Sequence, residues 1–533
     1  MNEALVDLSE LTVTRGGTTV LDRLSLRLEP GESAILLGEE GCGREAVVRV
    51  LGGFPDKADA VSGTITFAAT PPRPAAKRQK PPIRIAYLPS PLAGPLSPHA
   101  SVLRQLVHII ARQLGAPFGS AREELRLALE RFPTAVTPEL LDAKPDRLDP
   151  VTLAIGLLAA VSAQTPDLVL ADHPFADLGP AAVRLLMTLF KAEHARLGYA
   201  LIYSTGGLQA AARLGGRVLV LRTGRVVEEG DAIRLMGAHA HAYTKTLFKA
   251  LPRLNRDPPK PRTAHRGQPL LQVHGLSFKS KTPMRDGLTF ELRRNASLAL
   301  VGEAGSGRRA MLRALLGFDK APSGKVLFDA VDLYRLSEAM ASRIRRRIAF
   351  VTGDDDCLDP RMSIHDTVDE PLRAHLDLTR DLIAGYRDAA LKRVGLASHD
   401  GNRSVASLSL FDRRRLQVAR AFVGAPLLVV VDEPLKGLDA FAQTIMREVL
   451  IDFRATQESA FLVMTSDLTV AQALADEALV FHDGKVVERG SIAHLVRDPK
   501  HDATKALIEA VSFSDLSPAD LSRADLSPGS SSG

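Results

Sequence analysis

Two glycine-spaced octapeptides carry the residues best placed to do chemistry in this chain. GEEGCGRE at Gly38–Glu45 and GEAGSGRR at Gly302–Arg309 share one spacing, with glycines at Gly38, Gly41 and Gly43 and at Gly302, Gly305 and Gly307. Such spacing lets successive backbone N–H groups converge on a phosphate where a helix begins. The working form of the loop ends in Lys, which reaches the β- and γ-phosphates, and then Ser or Thr, whose hydroxyl binds Mg²⁺. Arg44 and Glu45 hold those places in the first copy, and Arg308 and Arg309 in the second, where Ser306 precedes the last glycine. Arginine keeps the charge but is a broad planar fork rather than a compact ammonium. Glu45 faces phosphate with like charge, and Arg309 repels a metal. The chain thus carries two nucleotide-site frames, both altered at the atoms that touch nucleotide and metal.

The elements around each loop repeat. Gly38 and Gly302 lie 264 residues apart, about half of the 533-residue chain. That is a duplicated domain rather than a solenoid, whose repeats run to roughly 20–50 residues. Each half opens with alternating apolar residues, Leu5–Val13 and Leu270–Phe278, followed by Leu24–Leu28 and Leu288–Leu292. These read as strands. A short apolar strand then leads into the glycine loop and a helix (Arg44–Leu51; Arg308–Leu316), which is the setting a phosphate loop needs. Buried-strand runs follow at Asp167–Asp172 and Leu427–Asp432, then at Ala200–Thr205 and Ala460–Thr465. Hairpin-like pairs close the halves at Val218–Gly230 and Ala478–Gly490. The run Leu153–Ala163 reads as a buried helix. The expected fold is α/β, with two tandem P-loop domains: residues 1–251, a Pro- and Arg-rich linker at 252–269, and residues 270–511. The segment Thr70–Pro82 reads as a basic loop, and 512–533 as a disordered tail.

Composition narrows the function. Hydrophobic residues make up 45% of the chain, enough for large cores, and charged residues 24%. The formal charge is +6, but the cations are dispersed and aromatics are only 5%, so nucleic acid is not the expected partner. Two cysteines, Cys42 and Cys357, supply neither a disulfide framework nor an iron–sulfur cluster, and no zinc set is evident. The N-terminal MNEALVDLSE lacks a signal-peptide pattern, and no apolar run reaches the ~20 residues of a membrane span. A membrane role is therefore expected to be peripheral.

Taken together, these motifs resemble the ATP-binding-cassette family, and most of all the tandem fused ATPase subunits of bacterial peptide, opine and nickel importers. Subfamily signals are HAYTKTLFKALP at His241–Pro252, HDATKALIEAV at His501–Val511 and LDPRMSIHDTVDEPL at Leu358–Leu372. The resemblance implies ATP and Mg²⁺ as ligands, with the metal held by Asp172 and Asp432. It implies Glu433 as the base that polarises the attacking water, with His173 as a weak substitute in the first half. It implies a γ-phosphate contact from the signature loop, which maps to Leu148–Thr152 and Leu408–Asp412. Both signature glycines are replaced; Ser409 survives, Pro150 has no N–H, and Leu410 and Phe411 are expected to block approach to the backbone. The water-sensing Gln maps to Ser90 and near Gly353, and the switch His to Gly206 and Ser466. No adenine-stacking aromatic is evident, with Arg15 and Lys279 in that neighbourhood.

In this family each composite site joins the phosphate loop of one half to the signature of the other. Site one pairs Arg44, Glu45, Asp172 and His173 with Leu408–Asp412; site two pairs Arg308, Arg309, Asp432 and Glu433 with Leu148–Thr152. The expected function is an importer's ATP-binding subunit on the inner face of the cell membrane. Its partners are two permeases, a solute-binding protein or other ATPase chains. The altered motifs set a pseudo-ATPase beside a working enzyme. A permease-free protein that binds nucleic acid or the ribosome is a third reading.

Overall fold

The computed structural model describes residues 4–68, 73–74, 83–235, 241–250, 254–255, 268–277, 287–303, 308–319, 323–354, 357–375, 378–397 and 399–511. The basic loop at 70–82 (apart from 73–74), most of the linker and the tail lie outside them.

Each half is built on a six-stranded sheet. In the first, the order is Arg225–Asp231, Arg217–Arg222, Ser33–Leu37, Ala200–Thr205, Leu168–Asp172 and Ile85–Leu88. The second repeats it from the opposite edge: Ile348–Thr352, Leu428–Asp432, Ala460–Thr465, Ser297–Gly302, Glu477–His482 and Lys485–Ser491. All neighbours are parallel except the closing hairpins. Parallel strands buried on both faces need continuous apolar sequence. Leu168 and Leu170 accordingly join one core cluster, while Val169 and Ala171 join another on the opposite face. The Asp at the end of that run thereby reaches the carboxyl edge of the sheet, beside the glycine loop.

A smaller antiparallel sheet flanks each core: Val6–Arg15, Thr18–Leu28 and Asp59–Phe67 in the first half, Pro269–Leu276, Leu288–Arg293 and Lys325–Phe328 in the second. The strand at Pro269 begins one residue inside the stretch read as linker. Helices Val102–Leu114, Phe118–Glu130 and Pro150–Ala163 form a helical subdomain, matched by Ile364–His375, Arg380–Arg393 and Leu410–Phe422. Pro150–Ala163 is apolar nearly all round and buried from Leu153 to Ala163.

The halves pack against one another. Gly437 N donates to Ala176 O at 3.2 Å, and Thr444 Oγ1 to Ala250 O at 3.0 Å. Asn255, in the stretch read as linker, exchanges two hydrogen bonds of 2.7 Å with Gln472 of the second half. Arg184 on Pro180–Leu197 reaches Glu509 on Asp502–Val511 at 3.6 Å. The terminal helices are docked alike in both halves by a hairpin carboxylate. Glu228 accepts from His241 N at 2.9 Å and from the Thr244 hydroxyl. Glu488 accepts from His501 N at 3.1 Å and Thr504 Oγ1 at 2.5 Å.

Candidate nucleotide sites at the seam between the halves

The first glycine loop runs from the strand Ser33–Leu37 into the helix Arg44–Gly52. Gly41 and Gly43 sit at φ +77° and +100°, and a Cβ on Gly43 would lie 2.4 Å from Val20 O, so the turn requires glycine there. Arg44 is only 3% exposed. Its Nη1 donates to the Gly38 carbonyl inside the loop, and its Nη2 lies 3.6 Å from Glu45 Oε1. The guanidinium reaches across to the switch position, where a Cβ on Gly206 would be 3.6 Å from Nη1. Arg44 thus lies within the loop that would cradle the phosphates.

Asp172 ends its strand 5% exposed, and its Oδ1 has no hydrogen-bond partner among the described residues. Burial, and then the like charge of Glu45, raise its carboxyl above the usual range. His173 follows at φ +44°, and burial, with Arg44 adding like-charge repulsion, lowers its imidazole to about 3. Mg²⁺ does not fit this set. One orphaned carboxylate oxygen is offered, but Glu45 pairs with Arg44 instead of supplying a hydroxyl, and a buried guanidinium already supplies positive charge beside Asp172.

In the second half Gly305, Ser306 and Gly307 lie outside the described residues, as do the side chains of Arg308 and Arg309; the helix Arg308–Leu315 follows them. Glu433 repeats the backbone of His173 at φ +45°. Its Oε1 accepts from Ser466 N at 2.8 Å and its Oε2 from Thr465 Oγ1 at 3.2 Å. Asp432 ends its strand just before this carboxylate, and with Arg309 in place of the hydroxyl the family's donor set for Mg²⁺ is incomplete here as well. Among the described residues no group of three or more His, Cys, Asp or Glu is placed to hold a metal.

The signature loops face the opposite half. Asp149 caps the helix Pro150–Ala163, its Oδ1 accepting from Val151 N at 3.1 Å and Thr152 N at 2.9 Å. Ser409 caps its own helix, accepting from Asp412 N at 3.1 Å. Leu410 and Phe411 follow it as the first residues of that helix. A cleft of about 800 Å³ runs along the seam and is shared by both sites: His173, Gly206 and Asp439 line it, as do Leu148–Pro150, Glu433 and Ser466.

Other residues at the seam were not legible as site residues. Asp439 accepts from Glu40 N at 2.7 Å. Tyr243 Oη accepts from Glu39 N at 3.3 Å beneath Arg222; it belongs to the HAYTK segment that marked the subfamily. At the Gln position, Arg414 bonds the carbonyls of Thr352 (3.2 Å), Gly353 and Asp354 (2.8 Å). Arg15 forks onto Asp59 at 2.7 and 3.2 Å, and Lys279 lies outside the described residues.

The family model described as ABC transporter matches residues 21–176 and again 285–436, together more than half of the chain. The chain belongs to the ABC transporter family. A second model, the C-terminal region of oligopeptide/dipeptide transporters, matches residues 227–275. Several relatives match over nearly the whole chain. The chain is 28% identical to the uncharacterized ABC transporter ATP-binding protein YejF of Escherichia coli, over 92% of this chain and 95% of that one. It is 29% identical to the peptidoglycan transport ATP-binding protein YejF of Agrobacterium fabrum, over 95% and 96%. It is 26% identical to the glutathione import ATP-binding protein GsiA of Salmonella paratyphi A, over 93% and 86%. No helix among the described residues is long and apolar enough to cross a membrane.

Proposed function

We propose that this chain is the cassette subunit of an importer for peptides or related solutes, docked on two permeases at the inner face of the membrane, and that its sites no longer turn over ATP fast enough to drive transport. The observation that carries the second part is Arg44, buried in the first phosphate loop and bonded to the Gly38 carbonyl. Phosphoryl transfer depends on metal and positioned charge. Losing one positioned group typically costs about 10²–10³-fold in rate, and each site here departs at several. His173, lowered to about 3, is too weak a base to accept a proton near neutral pH. The relatives named for peptidoglycan and glutathione transport support the importer assignment.

A working ATPase at site two is the second reading, favoured by the intact Asp432–Glu433 pair and the open cleft. Purified full-length protein, assayed for nucleotide binding and hydrolysis with and without Mg²⁺, decides between them. The proposal expects no Mg²⁺-dependent turnover. Turnover near the ordinary enzyme range, about 1 s⁻¹ or faster, sinks it. Arg308→Lys with Arg309→Ser should raise nucleotide affinity at site two.

A further inference from the structure

The two helical subdomains are joined to their cores by different chemistry. In the second half, Arg414 and Gln417 share one face of the helix Leu410–Phe422, 5% and 3% exposed. Arg414 Nη1 donates to Thr352 O at 3.2 Å and Asp354 O at 2.8 Å, and its Nη2 donates to Gly353 O. The side-chain amide of Gln417, oriented by its partners, donates to Thr352 O at 2.8 Å and accepts from Thr352 N at 3.3 Å. The backbone they hold is fixed to the core on its other side. Gly353 N donates to Asp432 O at 2.7 Å, and Lys436 Nζ lies 3.3 Å from Asp354 Oδ1. Residues 352–354 are thus bonded to the helix and to the core at once. A helix that slid here would strip buried groups of directional partners, which is costly.

The first half is built otherwise. Aligned on Leu148 and Leu408, the places of Arg414 and Gln417 fall to Ala154 and Leu157, 0% and 7% exposed. Both share one core cluster with Ala86 and Leu88 of the adjoining strand. Among the described residues no side-chain hydrogen bond links that helix to 85–92. Polar contacts at the far end occur in both halves, Ser162 with Glu193 and Gln457 Nε2 with Phe422 O. The difference lies at the signature end. Apolar contact is non-directional, and packed elements held by it can shift in small shear steps.

We infer that Arg414 and Gln417 clamp the helical subdomain of the second half to its core, so that movement of a signature helix over its own core is confined to the first half. The clamp rests on contacts inside each half and not on loss of turnover. Hydrolysis by a protein that stays clamped would count against the proposed function alone.

Spin labels on the full chain, in a Cys357→Ser background, test it. Asp381→Cys with Lys325→Cys spans subdomain and core in the second half, and Arg122→Cys with Ser62→Cys does so in the first. The second-half pair should give one narrow distance, unchanged by ATP with Mg²⁺, and the first-half pair a broader distribution. Arg414→Gln with Gln417→Leu should broaden the second-half distances and leave the first-half ones alone. Equal widths in the two halves before that change overturn the clamp, as does a double variant that keeps the native second-half distances. Hydrogen exchange needs no labels and checks the milder Arg414→Lys. Exchange at 352–354 should rise at least about tenfold more than in the strand Leu428–Asp432. Equal rises in both would make Arg414 a stability residue alone and overturn the clamp.

Discussion

Arg44 and His173 decide the chemistry of site one at the level of single side chains. Arginine in a phosphate loop retains the charge, and composition gives no reason for it to turn inward. Its burial and its bond to Gly38 make it a plug as much as a ligand. His173 carries a testable pH signature. Its folded value of about 3 lies below the ordinary 6.5, so between these limits the unfolded chain binds the extra proton. This histidine therefore contributes a loss of stability as pH falls from about 6.5 toward 3. Urea midpoints measured from pH 7 to 4.5 should fall more steeply for the native protein than for His173→Asn. Asparagine tolerates the left-handed backbone at that position. Equal slopes would mean that the imidazole titrates normally.

Arg414 matters at the scale of elements. It sits one turn into the helix Leu410–Phe422, 5% exposed, and ties that helix to three carbonyls at the end of the strand Ile348–Thr352. A Cβ on Gly353 would lie 2.2 Å from Glu433 O, so the segment passes too close to the Asp432–Glu433 turn for a side chain. Where the family pattern has a Gln, this chain has a backbone loop fixed by an arginine from the helical subdomain. Arg414→Met should destabilise the second half by about 1.5–3 kcal/mol, the range for hydrogen bonds to a charged group. A denaturation difference under about 0.5 kcal/mol, the scatter of ordinary surface substitutions, would show that the staple carries no weight. The strand runs and the loop helices were legible because apolar period and glycine spacing are local signals. The staple was not: residues 60 or more apart meet only after the helical subdomain folds onto the core.

The whole molecule is a pair of similar halves with dissimilar seams. Glycines permit contact at both: Gly206 against Asp439 and Gly179 against Ser466, where a Cβ on Gly179 would lie 2.3 Å from Ser466 Oγ. Gly179→Ala should cost about 1–3 kcal/mol, as overpacking does, seen as a lower first transition on thermal unfolding. Adding Ser466→Gly should restore it. A Gly179→Ala protein with unchanged melting would mean that the seam yields freely. The duplicated fold was written in the sequence, because each half repeats the same order of apolar strands, glycine loop and terminal acid. So was the chemical alteration, since Arg44, Glu45, Arg308 and Arg309 stand in fixed places beside the glycines. Only tertiary structure decided that the two halves of one chain face each other, and that Glu40 and Asp439, 399 residues apart, meet across the seam. Hydrogen bonds and close contacts between distant segments leave no periodic trace in sequence; they arise from how finished surfaces fit.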